Sequence, residues 1–444
     1  MEEATYVHSR LKDSTTYIRL LQYTRNSDCA LRFGLNQWLL DDCPAFFAIS
    51  YCWGTVSPTK HVLVNGQKFE IRANAHYALV QAIDQQAEDV GYYWIDTICI
   101  CQSNLEEKSD QVRMMSSIYG QSSQVYSCLG NGNENARLFM SVVNRYFADL
   151  PYHLRGDPDR PTRRLRKYLQ DVPPSNRLEN LARLSAAMND LIDTGYQSRL
   201  WIVQEIMAAD PKPLILWGRG TFSATWFQGL DMWNALVLAG LVSADNLSPL
   251  LIMGIRIEHR IVAFGEPGPP NMRWSLPSIV TACKDFQCTD PRDAIYGICS
   301  FVRLPPHLPP IMVDYTLSTQ QLFLRLLPYY LAEHGELGSK ALVTLSQTIG
   351  LQLTPEQLGR LEGFHCLECA KRFLRAPSGL QTGPGCDLPH LFDNSSRIRH
   401  PMYAPADHQC ICLDRCPHPW APGLSRLDDA TRDHLLQVGC LPSE

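Results

Sequence analysis

The chain has 444 residues, 45% hydrophobic and 19% charged, which is enough apolar material for a packed core and excludes a wholly disordered chain. Lys+Arg 40 against Asp+Glu 45 gives a net charge of −5, so no global basic field points to nucleic acid as a partner. The N-terminal MEEATYVHSRLKDSTTY lacks an apolar secretory segment, and charges break every apolar run short of the ~18 residues that a membrane span needs. The expectation is a cytoplasmic protein with reduced thiols.

The length predicts one large domain plus a smaller one, or two. Tyr17 to Leu21 (YIRLL) reads as a short strand within an N-terminal lead-in, residues 1–40. Phe46 to Tyr51 (FFAISY) is a continuous apolar run between Pro44 and Gly54, the signature of a strand covered on both faces, as in a parallel sheet. His61 to Ile71 reads as a hairpin around Asn65-Gly66, a dipeptide that accepts positive φ at both turn positions. Asn74 to Val90 has helical spacing, with Asn74 as its N-cap.

Tyr92 to Ile100 follows as a strand and carries WIDTICICQ, residues 94–102. Glu106 to Tyr119 is a helix with acids in its first turn, as the helix dipole favours. Val125 to Leu129 is the next strand, and a helix runs from about Asn135 to Leu150. Strands and helices alternate through this segment, which predicts an α/β domain over 41–220 around a mainly parallel central sheet flanked by helices. Residues 152–178 are polar, basic and Pro-rich, and read as an exposed insertion. A helix then runs to about Thr194, and Tyr196 to Glu205 opens another. Pro213 to Gly218 is a further strand. Residues 221–360 read as a helical extension, with Ser318 to Leu331 its clearest amphipathic stretch, and 361–444 as an irregular Cys/His/Pro-rich tail. No repeat of period 20–50 is visible.

There is no Walker A sequence. Gly130 and Gly132 in LGNGNENA lack the third glycine of a dinucleotide fingerprint, so an ordinary turn is the stronger reading. Asp96 sits near a strand's carboxyl end, where open α/β sheets bind ligands. It either orients a substrate hydroxyl or a basic group, or is a structural carboxylate paired to an arginine. Cys99 and Cys101 flank Ile100 and are read as small buried hydrophobes. Trp201 and Glu205 are one helical turn apart. A ring beside a carboxyl would raise its pKa and stack a flat ligand. The plainer reading pairs Glu205 with Arg199 and uses Trp201 for packing.

Seven of the sixteen cysteines follow residue 365. Cys366-x-x-Cys369 is a zinc half-site, and Cys410, Cys412, Cys416 and His418 supply further ligands for a structural zinc. A loose, reduced, Pro-rich tail is the alternative.

Together these blocks resemble the heterokaryon incompatibility (HET) domain of filamentous fungi. FFAISYCWG matches a strand ending S-Y-x-W-G, through Ser50, Tyr51, Trp53 and Gly54. Val64-Asn65-Gly66 and the segment from Asn74 to Leu79 follow. Trp94, Ile95, Asp96, Cys99, Ile100 and Gln102 match W-I-D-x-x-C-I-x-Q. Glu107, Gln111, Val112, Met115, Ile118 and Tyr119 match E-x-x-x-Q-V-x-x-M-x-x-I-Y, and Arg199, Trp201, Gln204 and Glu205 match R-x-W-x-x-Q-E. Asp290 to Tyr296 and Asp314-Tyr315 are similar to downstream family segments. The family usually has Asp where Cys101 stands and Trp where Cys128 stands.

This resemblance implies a role in fungal non-self recognition that ends in programmed cell death, a form of innate immunity. The family is also similar to TIR domains, which implies a TIR-like or flavodoxin-like core. Many TIR domains cleave the nicotinamide–ribose bond of NAD with a glutamate in a W-x-x-x-E segment. On that analogy Glu205 is the catalytic carboxylate and Asp96 orients a hydroxyl. Tyr51, Trp53, Trp201 and Arg199 contact the substrate. No cofactor is required, and NAD is the substrate. Self-association is the implied interaction, and the sequence does not name an upstream partner. The competing expectation is a non-enzymatic signalling module acting through homotypic assembly.

Overall fold

The computed structural model describes residues 5–24, 31–86, 90–147, 159–211, 213–218, 223–243, 274–305, 308–334 and 339–353. It divides into two compact units, Met1–Met272 with Asp285–Cys288, and Arg273–Lys284 with Thr289–Glu444. The first unit begins with strands β1 (Tyr17–Thr24), β2 (Arg32–Leu39), β3 (Phe47–Tyr51), β4 (Thr59–Val64) and β5 (Gln67–Arg72), followed by helix α1 (Ala73–Asp84). Then come β6 (Val90–Trp94), the one-turn helix α2 (Asp96–Cys99), α3 (Leu105–Gln121), β7 (Gln124–Cys128) and α4 (Glu134–Tyr146). Helices α5 (Arg160–Asp171), α6 (Arg177–Asp193) and α7 (Ile202–Met207), strands β8 (Leu214–Leu216) and β9 (Ser223–Thr225), and helix α8 (Trp226–Leu238) complete it.

All nine strands share one sheet in the order β5-β4-β2-β1-β6-β3-β7-β8-β9. The sheet is mixed, which corrects the expectation of a mainly parallel one. β6, β3, β7 and β8 form a parallel core, and β2 pairs parallel with β4. The pairs β1/β2, β1/β6, β4/β5 and β8/β9 are antiparallel. The two-residue β4–β5 turn reverses the chain, whereas the crossover through α3 carries it from β6 to β7 in the same direction. At the β4–β5 turn Asn65 has φ 51° and Gly66 φ 78°, as the Asn-Gly dipeptide predicts. β2 was not legible as a strand. Its Phe33 and Leu35 face the core, but Gly34 and Asn36 interrupt the apolar pattern.

The apolar reading of β3 holds, with Ala48, Ile49 and Tyr51 buried. Other boundaries move. α1 ends at Asp84 and its N-cap is Arg72, so Asn74 is not the cap. Instead the Asn74 side chain donates to the Cys52 carbonyl at 3.1 Å. Residues 152–178 are not simply an exposed insertion. From Arg160 they form α5, which buries Leu165 and Tyr168, and Arg160 pairs with Asp231 of α8. Its charged residues repeat on a helical face rather than along a loop.

The second unit contains the helices Leu276–Cys283, Asp293–Tyr296, Thr319–His334 and Ser339–Thr348, in keeping with the helical reading of that stretch. Its two motif segments meet. Arg292 pairs with Asp290 at 2.6 Å and donates to the Tyr315 and Leu317 carbonyls at 2.7 Å each. The Tyr315 hydroxyl donates to Asp293 at 2.6 Å. Cys366, Cys369, Cys410, Cys412, Cys416 and His418 lie outside the described residues. No helix among the described residues is long and apolar enough to cross a membrane.

Candidate functional site

β3 and β6 run parallel and adjacent, so their carboxyl ends open on the same side of the sheet. Two residues beyond β6, the chain turns into α2, which begins at Asp96. This corrects the reading of Tyr92 to Ile100 as one strand. Cys99 closes the helical turn and is fully buried, with its thiol pushed up to about 12 by burial. Cys101 lies past the turn and is half-buried.

A buried ion pair supports this turn. Arg19 of β1 and Glu107 of α3 meet at 2.6 and 2.9 Å through both guanidinium nitrogens. Arg19 also donates to the Cys99 carbonyl at 3.0 Å, and the Cys101 N–H donates to Glu107 at 2.8 Å. Burial opposes the charge on Glu107, but the Arg19 and Cys101 hydrogen bonds outweigh it and hold the pKa below the usual range. Gln102 donates to the Asp96 carbonyl at 3.0 Å. Gln111, fully buried, donates to the Ser14 and Tyr17 carbonyls at 2.8 Å each, which fastens α3 to β1.

Asp96 Oδ2 accepts the Trp53 indole N–H at 2.8 Å. The Tyr51 hydroxyl also hydrogen-bonds this carboxyl. Arg72 lies 5.1 Å over the Trp53 ring, a cation–π contact that fixes the indole. Burial raises the Asp96 pKa, and Arg199 acts in the opposite sense.

Glu205 lies deeper. The residue is 2% exposed. Ser50 donates to its Oε2, and Arg199 Nη2 stands 3.5 Å from its Oε1. Ser50 also bonds the Tyr196 hydroxyl, which Ser127 contacts from β7. Ser50 and Ser127 are register partners on neighbouring parallel strands, so they share a face. The single Ser50 proton goes to the carboxylate, so Tyr196 donates to Ser50 and Ser127 to Tyr196. Burial raises the Glu205 pKa, partly offset by Arg199 and Ser50. Burial disfavours the Arg199 charge, but Glu205, with Asp96 also contributing, keeps it firmly protonated.

The backbone at Arg199 is pinned from outside its helix. Gln287 N–H donates to the Ser198 carbonyl at 2.6 Å, and Leu200 N–H to the Gln287 carbonyl at 2.9 Å. Trp201, half-buried, starts the turn that leads to Glu205, whose N–H reaches the Trp201 carbonyl at 3.2 Å. The carboxyl is held by Ser50 and Arg199, the pairing that the plainer sequence reading gave.

The structure thus brings Tyr51, Trp53, Asp96, Arg199 and Glu205 together from three separate segments. A model of the family described as heterokaryon incompatibility protein (HET) matches residues 46–205, a span that contains all five. Residues 46–205 are a HET domain. Within a 156-residue match, the chain is 30% identical to heterokaryon incompatibility protein 6, OR allele, of Neurospora crassa. The match covers 31% of this chain and 22% of that relative's length. No solved structure matches the chain. Arg19, which supports the Asp96 turn, stands before the HET span.

Sequence reasoning gave no role to Ser50, Tyr196, Ser127 or Arg19. Two signals were present: Ser50 is the polar residue in FFAISY, and Arg19 is a charge inside YIRLL. A polar group in a fully buried strand must find a partner, and each of these does.

Proposed function

We propose that this chain acts in fungal non-self recognition, as a heterokaryon incompatibility factor whose activation ends in programmed cell death. We further propose that its HET domain cleaves the nicotinamide–ribose bond of NAD in the manner of a TIR-like enzyme. The convergence of Asp96, Arg199 and Glu205 at the carboxyl ends of parallel strands supports this reading, since ligands of open α/β sheets bind there. In this reaction the C–N bond breaks and its electron pair leaves with nicotinamide, which departs neutral. The ribose develops oxocarbenium character, which a nearby carboxylate stabilises. Water then adds to the ribose carbon and releases a proton. Glu205 is the carboxylate in this scheme. Arg199 counters the burial that raises its pKa, Asp96 orients a substrate hydroxyl, and Tyr51, Trp53 and Trp201 line the approach.

A second reading, a non-enzymatic module that signals by self-association, is favoured by one observation: Glu205 is 2% exposed and both its oxygens are engaged. Induction in yeast separates the two. Total NAD and viability are followed for the wild type, Glu205→Gln and Glu205→Ala at equal expression. The enzyme reading expects NAD to fall before viability in the wild type alone. Death with NAD intact, or equal depletion by the glutamine variant, refutes it and leaves the assembly reading.

A further inference from the structure

The last carbonyls of a helix lack intrahelical partners, and α2 is only one turn long. Two of its carbonyls are met from outside the HET span of residues 46–205. Arg19 Nη1 donates to the Cys99 carbonyl at 3.0 Å. His8 Nε2 stands 2.7 Å from the Ile98 carbonyl. A carbonyl only accepts, so the His8 proton on that side sits on Nε2. Burial lowers the His8 pKa and keeps the ring neutral at neutral pH, so its one N–H is spent on Ile98.

His8 belongs to an extended segment that is itself tied down. Tyr6 and His8 are half-buried while Val7 between them is 80% exposed, the alternation of a strand. The Tyr6 N–H donates to the Lys68 carbonyl of edge strand β5 at 2.9 Å. The Tyr6 and His8 rings pack on Phe69 of β5, with centroids 5.8 and 5.5 Å away. The Ser9 carbonyl accepts from Arg19 Nη2 at 2.6 Å. Gln37 of β2 donates to the Arg10 carbonyl at 2.9 Å and accepts from the Lys12 N–H at 3.0 Å. From this geometry we infer that His8 is a positioning residue for Asp96. Through the Ile98 carbonyl it fixes the turn that carries the Asp96 carboxyl, and residues 5–12 are a working part of the HET domain rather than a lead-in to it. The lever is short: Ile98 and Asp96 share one helical turn, and Asp96 in turn holds the Trp53 indole at 2.8 Å. The inference deepens the proposed NAD reading, in which Asp96 orients a substrate hydroxyl, but the clamp itself is read without substrate. The rival is a packing role, in which the ring fills space against Tyr6 and Phe69 and the hydrogen bond is incidental.

Two substitutions separate these roles. His8→Gln and His8→Asn both remove the ring, but the glutamine amide reaches about as far as Nε2 and the asparagine amide falls short of it. The readout is the Trp53 indole N–H signal in NMR spectra of the isotope-labelled full chain, identified by its loss in Trp53→Phe. Trp217, in the core beyond β8, is the fold reference. His8→Gln should leave the Trp53 signal at its wild-type position. His8→Asn should move it, and should speed amide hydrogen exchange over residues 97–101 about five- to tenfold, as the loss of one hydrogen bond implies. Equal effects of the two variants assign His8 to packing and overturn the inference. So does a His8→Asn spectrum identical to wild type, or one in which Trp217 moves as far as Trp53. In yeast, His8→Asn should deplete NAD several-fold more slowly than wild type, and His8→Gln at the wild-type rate. Depletion at one rate by all three chains overturns the inference alone. A wild-type chain that spares NAD overturns the NAD reading and leaves His8 to the NMR result.

Discussion

The Arg19–Glu107 pair gives the sharpest test of how the Asp96 turn is held. Their side chains are 1% and 5% exposed, so neither charge retains water as a fallback. Glu107→Gln leaves the guanidinium charge buried with neutral acceptors alone, the glutamine oxygen and the Cys99 and Ser9 carbonyls. Arg19→Met leaves the carboxylate with the Cys101 N–H. Breaking a buried pair from one side costs about 3–5 kcal/mol, whereas replacing both partners by uncharged groups costs far less. The double variant Arg19→Met/Glu107→Gln should therefore be more stable than the sum of the singles implies, with a coupling of about 2–3 kcal/mol. Urea unfolding followed by tryptophan fluorescence measures it, since Trp94 is in the core next to this turn. The pH dependence has a fixed sign. The folded Glu107 pKa lies below its ordinary 4.5, so its contribution is complete above that value and is lost as pH falls below it. Single variants within about 1 kcal/mol of wild type, or a coupling below about 0.5 kcal/mol, would refute the pair as the support of the turn.

Other consequences are as direct. Glu205→Gln keeps an acceptor for Ser50, and removes a carboxyl whose raised pKa favours folding at low pH and is lost as pH rises. Its unfolding midpoint at pH 7 should equal or exceed that of wild type, whereas Glu205→Ala strands Arg199 and Ser50 and should cost about 2–4 kcal/mol. Tyr196→Phe removes the hydroxyl between Ser50 and Ser127, and should lower stability by about 1–2 kcal/mol in the same urea assay. Gly54 has φ +67°, and a Cβ there would stand 2.4 Å from the Asn74 amide nitrogen. Gly54→Ala should therefore cost at least about 1 kcal/mol and blue- or red-shift the Trp53 emission as the loop moves; an unchanged spectrum and midpoint would count against that packing.

Most of the sheet was legible because its signals are local. The apolar run at β3 and the Asn65-Gly66 turn each fix structure within a few residues. The one-turn helix at Asp96 was not legible, because WIDTICIC carries β-rich residues and tertiary hydrogen bonds impose the turn. Strand direction was also hidden, since parallel or antiparallel pairing depends on which distant segment lies alongside. The same holds for the site. Trp201-x-x-x-Glu205 advertised a helical pair, but the Glu205 carboxyl is held by Ser50, 155 residues away in sequence, and by Arg199. No spacing rule links those positions.

The depth of each group constrains what the site does. Glu205, Ser50, Tyr196 and Ser127 form a buried hydrogen-bond chain, where any ligand would have to displace an existing partner. Asp96 and Arg199 each commit one terminal atom to a partner and keep the other buried without a hydrogen bond. Arg199 Nη2 faces the buried carboxyl of Glu205. If the carboxylate acts in catalysis, Arg199 must release it as the ribose becomes cationic, and Arg199→Lys should lower turnover more than ligand affinity. If Glu205 is only an anchor, the same substitution should weaken affinity and leave turnover of bound ligand unchanged.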